Sequence, residues 1–78
     1  ADLTGIKVFV KNHILNVINP ENSYIRSIRI FGVSGQLIKD ITVDTSDNVF
    51  TPLTNISDQV LLIKIDGKEY TRTVKVSL

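Results

Sequence analysis

The chain is predicted to be an all-β sandwich of about seven short, mostly antiparallel strands, and three observations carry that reading. It holds 11 Ile, 9 Val and 7 Thr but one Ala, a usage that suits pleated, half-buried strands better than packed helices. Turn-forming residues recur at short intervals along its whole length, the punctuation of a sandwich. No window sustains a helical period. With 78 residues, positions 1–78 form a single domain, close to the size at which one core still folds alone.

The strands follow from the turns that separate them. The first is expected over 6–10 and ends at Asn12-His13; the second, over 14–18, stops at Asn19-Pro20-Glu21-Asn22. A third over 24–31 and a fourth over 36–43 flank the stretch Gly32-Val33-Ser34-Gly35. After the polar run from Asp44 to Asn48 comes a short strand over 48–51, closed by Pro52. The polar residues between Asn55 and Asp58 precede a sixth strand over 59–65, and Asp66-Gly67 separates it from a seventh over 68–77. Each break is rich in Asn, Asp, Gly or Pro, which hold bends that strands do not.

Two hairpins can be put in register by arithmetic. A two-residue type I′ turn at Asp66-Gly67 sets Ile63 opposite Tyr70 and Lys64 opposite Glu69, so that apolar pairs share one face and opposite charges the other. For the Gly32 to Gly35 turn, a loop of two residues or of four sets Ile30 opposite Leu37 and Ile28 opposite Lys39, with Lys39 at the sheet margin. Gly32 and Gly35 are expected to supply positive φ for the reversal.

Composition and motifs narrow the chemistry. Nine Lys plus Arg against eight Asp plus Glu give a net charge of +1, no electrostatic footprint for nucleic acid or an anionic membrane. The longest apolar run is the four residues from Val60 to Ile63, too short for a signal-peptide core or a membrane span. The absence of cysteine excludes disulfides and thiolate metal sites. The single histidine, His13, reads as a turn residue, and no serine lies in a nucleophile elbow. The Asp44 to Asn48 run lacks the ligand spacing of a calcium loop and reads as an Asx-type turn. The Asn55-Ile56-Ser57 sequon is too short a pattern to carry weight. Lys7, Lys11, Arg26 and Arg29 are expected as solvated sheet charges, and Tyr24, Phe31, Phe50 and Tyr70 as core or margin packing. No enzyme activity and no cofactor is expected.

The order of three blocks is more specific. "IKVFVKNHILNVIN", "SIRIFGVSGQLIKD" and "VFTPLTNISDQVLLIKIDGKEYTRTVKV" together resemble the C-terminal sorting domain of the bacterial type IX secretion system. The resemblance is carried by a strand ending in an aromatic, a small-residue and Gly loop and a following apolar strand, Ile30-Phe31-Gly32-Val33-Ser34-Gly35-Gln36-Leu37-Ile38. A final block of Ile56, the run from Val60 to Ile65, Gly67 and Thr73-Val74-Lys75-Val76 completes it.

That resemblance implies an immunoglobulin-like sandwich attached to a secreted cargo, read by an outer-membrane shuttle and translocon and removed by a surface sortase. It also implies export through the periplasm to the cell surface. The closing strand would have two duties, completing the core and presenting Lys75, Val76, Ser77 and Leu78 to the export machinery, with edge pairing as the mode of recognition. Ala1 to Gly5 read as the remnant of a linker to the cargo. The alternative is a structural, carbohydrate-binding or adhesive module of a secreted multidomain protein, which would need an exposed aromatic platform or a large apolar patch.

Overall fold

A computed structural model describes residues 3–78. Two antiparallel sheets pack face to face as an immunoglobulin-like β-sandwich. Its strands are β1 (Lys7–Lys11), β2 (Ile14–Ile18), β3 (Ile25–Gly32), β4 (Leu37–Thr45), β5 (Val49–Pro52), β6 (Val60–Asp66) and β7 (Thr71–Ser77). One sheet has the order β1-β2-β5 and the other β4-β3-β6-β7. Hairpins join β1 to β2, β3 to β4 and β6 to β7, while the remaining connections cross between sheets in Greek-key fashion.

The core is built from the inward residues of both sheets. Leu15 and Val17 of β2 meet Ile28 and Ile30 of β3 and Leu61, Ile63 and Ile65 of β6, all fully buried, with Ile25, Leu53 and Val76 closing the ends. Alternation is clearest in β6, where every second residue is buried. The neighbours on β1, β4 and β7 are only half-buried, as expected of edge strands.

Loop geometry departs from expectation at both glycine turns. The β6–β7 loop is four residues long, Gly67 to Tyr70, closed by the Gly67 N–H donating to the Tyr70 carbonyl at 2.8 Å. Ile63 therefore pairs with Val74 and Lys64 with Thr73, not with Tyr70 and Glu69. A shift of four residues keeps every side chain on its expected face, so the hydrophobic pattern cannot tell the two registers apart. Gly67 has no positive φ; it is glycine because a Cβ would lie 3.0 Å from the Tyr24 carbonyl and 3.3 Å from Leu3 Cδ2. A two-residue turn with positive φ at both positions forms instead at Asn12 (54°) and His13 (60°).

In the β3–β4 hairpin, Gly32 N–H donates to the Gln36 carbonyl and Gly35 N–H to the Gly32 carbonyl, both at 3.0 Å. The loop is thus three residues, Val33 to Gly35, with Gly35 alone at positive φ (93°), the geometry of a turn ending in a G1 bulge. An odd loop would turn β4 inside out. The register shift between Ile30 and Phe31 corrects this, so that Ile30 faces Lys39 and Ile28 faces Ile41. Lys39 is exposed on the edge strand, as expected. Gly32 is buried without positive φ, and a Cβ there would run into the Gln36 side chain.

The start of the chain also differs. Leu3 and Ile6 are 3% and 2% exposed and belong to the core, and Arg72 Nη1 donates to the carbonyls of Leu3 (3.0 Å), Thr4 (3.1 Å) and Ile6. Within the stretch expected as a linker remnant, Leu3 packs into the core and the Leu3 and Thr4 carbonyls are held by Arg72 of β7. Ala1 and Asp2, the rest of that expectation, lie outside the described residues.

Candidate recognition surface

The closing strand β7 is the edge strand of the four-stranded sheet, paired only to β6. Its last residues alternate by the pleat. Lys75 and Ser77 are exposed, Val76 is 8% exposed and faces Leu61, and Leu78 is half-buried against the core. The Leu78 N–H donates to the Gln59 carbonyl at 3.0 Å. From their place at the end of the chain Lys75, Ser77 and Leu78 are expected to add little buried area; that holds for Lys75 and Ser77 and fails for Leu78, while Val76 serves the core as its pleat face implies.

Lys75 stands at the end of a cross-strand row on the outer face of the same sheet, beside Leu62, Phe31 and Leu37. Phe31 and Leu62 are half-buried there and Leu37 is 52% exposed. The chemistry of this row is an apolar strip with a free ammonium at its margin. Among the described residues, the ion pair that a Lys or Arg makes is Arg29 with Asp66, so Lys75 meets no carboxylate there.

Asp66 was expected in a turn; it ends β6 and organises the opposite half of that outer face. Its Oδ2 accepts from Arg29 Nε (3.0 Å), Arg29 Nη2 (2.7 Å) and Ser27 Oγ (3.4 Å), and its Oδ1 from Thr71 Oγ1 (3.0 Å). Burial raises its pKa, but the bonds from Arg29 and Thr71 and the charges of Arg29 and Lys64 outweigh it and hold the carboxyl below its ordinary value. Arg29 is therefore a partnered residue of an inner strand, a correction to its reading as a solvated charge; Lys7, Lys11 and Arg26 are exposed as expected.

The aromatic residues are also reassigned. Tyr24, Phe50 and Tyr70 are 37%, 58% and 51% exposed, Phe9 is 42% exposed, and Phe31 is half-buried. None joins the core, because the sandwich is filled by Ile, Leu and Val. Tyr24 and Tyr70 wall a cleft over Leu3 and Gly67, with Lys68 and Glu69 at its mouth. The Tyr24 hydroxyl donates to Asp44 Oδ1, and that bond, ahead of other effects, raises the phenol's pKa.

Sequence reasoning missed Asn19, which it placed in an ordinary turn. Asn19 is 2% exposed. Its Nδ2 donates to the carbonyls of Ser23 (2.7 Å) and Ser46 (3.2 Å), its Oδ1 accepts from the Ser23 N–H (3.1 Å), and its own N–H donates to Asn48 Oδ1 (2.7 Å). One side chain thus ties the β2–β3 connection to the β4–β5 connection. The only local signal was the cluster of Asn and Ser in both turns.

Among the described residues, no group of three His, Cys, Asp or Glu side chains is placed to hold a metal ion. Among the same residues, no helix is long and apolar enough to cross a membrane. No protein-family model matches the chain, and no curated protein matches its sequence.

Proposed function

We propose that the domain is a sorting module of the type IX kind, which directs an attached cargo through the outer membrane of a bacterium. One observation carries the reading beyond the order of the sequence blocks: at the end of β7, exposed Lys75 and Ser77 alternate with Val76 and Leu78, which belong to the fold. An edge strand of this kind offers a partner backbone groups for pairing and side chains for selection while its other face holds the sandwich together. The partners in this reading are a shuttle and translocon at the outer membrane, a surface sortase, and the cargo domain joined ahead of Leu3. The site of action is the periplasm in transit and then the cell surface.

The test is the location of a reporter in a bacterium competent for type IX export, with and without the 78-residue domain fused to its C-terminus. The fusion is expected at the surface or in the medium and the bare reporter in the periplasm. Lys75→Glu in the fusion is expected to hold the reporter in the periplasm with the domain still folded. Equal export of the fusion and the bare reporter overturns the reading.

A further inference from the structure

The outer face of the three-stranded sheet lies on the side of that sheet away from the core. Register places its residues in rows across the strands: Lys7 beside Ile18; Phe9, Asn16 and Phe50 together; and Lys11, Ile14 and Pro52 together. Phe9, Ile14 and Phe50 are 42%, 37% and 58% exposed. Phe50, Ile14, Asn16, Asn12 and Lys11 line a shallow groove on this face.

Three features of this face select a ligand. The two phenylalanines sit on strands two apart, about 9–10 Å from one another, with the smaller Asn16 between them. That is a spacing at which alternate rings of a β-1,4-linked sugar chain can lie on aromatic faces. Asn16 Nδ2 donates to the Ile14 carbonyl at 2.8 Å, which orients the amide, and among the described residues no donor meets its Oδ1. Among the described residues the Asn12 side-chain amide meets no hydrogen-bond partner, and it lines the groove from the positive-φ turn. Flat apolar contact combined with amide donors and acceptors is the chemistry that recognises a pyranose, whose ring faces are apolar and whose rim is hydroxyl.

Charge refines the class. Lys7 and Lys11 flank the phenylalanine row, neither meets a carboxylate among the described residues, and none of the eight residues in the three rows is acidic. We propose that this face binds an extended acidic polysaccharide, with Phe9 and Phe50 stacking on sugar rings, Asn12 and Asn16 bonding hydroxyls, and Lys7 and Lys11 meeting the carboxylates. Because β7 takes no part, the site operates whether or not the export reading is correct.

The test measures binding of the purified domain to poly-β-1,4-mannuronate, with neutral β-1,4-mannan and anionic phospholipid vesicles as comparison probes, and sedimentation of the domain alone. Saturable binding to the mannuronate polymer, weaker binding to mannan and no vesicle binding are expected. Phe9→Ala and Phe50→Ala are each expected to weaken binding about tenfold with an unchanged circular-dichroism spectrum. Lys7→Gln combined with Lys11→Gln is expected to remove the preference for the acidic polymer. Phe31→Ala, on the other sheet, is the control and is expected to leave binding unchanged. The proposal is overturned by failure to bind either polymer, by binding that survives both Phe substitutions, by binding to vesicles alone, or by a dimer that Phe50→Ala dissociates.

Discussion

Arg29 on β3 and Asp66 on β6 are neighbours across the four-stranded sheet, and both Nε and Nη2 of the arginine converge on one carboxylate oxygen, Oδ2, at 3.0 and 2.7 Å. Their side chains are 33% and 15% exposed, so solvent screens the pair only in part. The pair fastens the two inner strands of this sheet at the end nearest the β6–β7 loop.

A pH dependence follows from this pair. The folded-state pKa of Asp66 is depressed, so its contribution to stability is present above the unfolded value of about 4 and is lost as pH falls through the lower folded value. Thermal melts of the wild type over the range from about pH 6 down to about pH 2 should show a decline in this window, and Asp66→Asn should start less stable and decline less steeply. Parallel curves for the two proteins would mean that Asp66 titrates alike in both states.

The two glycines with different reasons for being glycine can be told apart. Gly35 holds positive φ with open space where a Cβ would go, so Gly35→Ala should cost on the order of 1 kcal/mol and Gly35→Asn, which tolerates that conformation, less. Gly67 lacks room, so Gly67→Ala and Gly67→Asn should both destabilise, by about 1–3 kcal/mol. Chemical denaturation of the four variants checks the contrast, and recovery of stability by Gly67→Asn would contradict the close-approach account.

Removing Asn19 strips a buried hydrogen-bond set. Asn19→Ala loses the bonds to the Ser23 N–H and carbonyl and one of two donors to the Ser46 carbonyl, which keeps Asn22 Nδ2 at 3.0 Å, and losing buried hydrogen bonds of this kind costs about 1–3 kcal/mol. The midpoint of urea unfolding should fall accordingly, and amide exchange should quicken at Ser23. Asn16→Ala, whose lost bond is exposed, should have a much smaller effect.

At the end of β7, stability and signal should separate by side of the strand. Deleting Leu78 removes a core contact and the bond to Gln59 and should lower the melting temperature, whereas Lys75→Ala, at an exposed position, should not. Val76→Asp should cost several kcal/mol, enough to unfold much of a small domain. Differential scanning calorimetry ranks the three, and a Lys75→Ala variant as unstable as the Leu78 deletion would show that Lys75 also serves the fold.

Strand positions were legible because their signals are local: period-two alternation and Asn, Asp, Gly or Pro at the breaks place all seven strands to within a few residues. The alternation also identified the inward face of β6 and β7, since it survives any even slip in register. That same degeneracy hid the four-residue loop after Asp66 and the pairing of an odd loop with a compensating bulge in β3–β4, which the backbone settles by closure and not by side-chain pattern. The exposure of Phe9 and Phe50 and the burial of Leu3 were decided when two sheets met. Which face of a three-stranded sheet is covered, and what covers a chain's first residues, depends on contacts such as Arg72 to Leu3, 69 residues apart, and Asn19 to Ser46, 27 apart. Strand order creates those contacts, and no short window of sequence contains both of their ends.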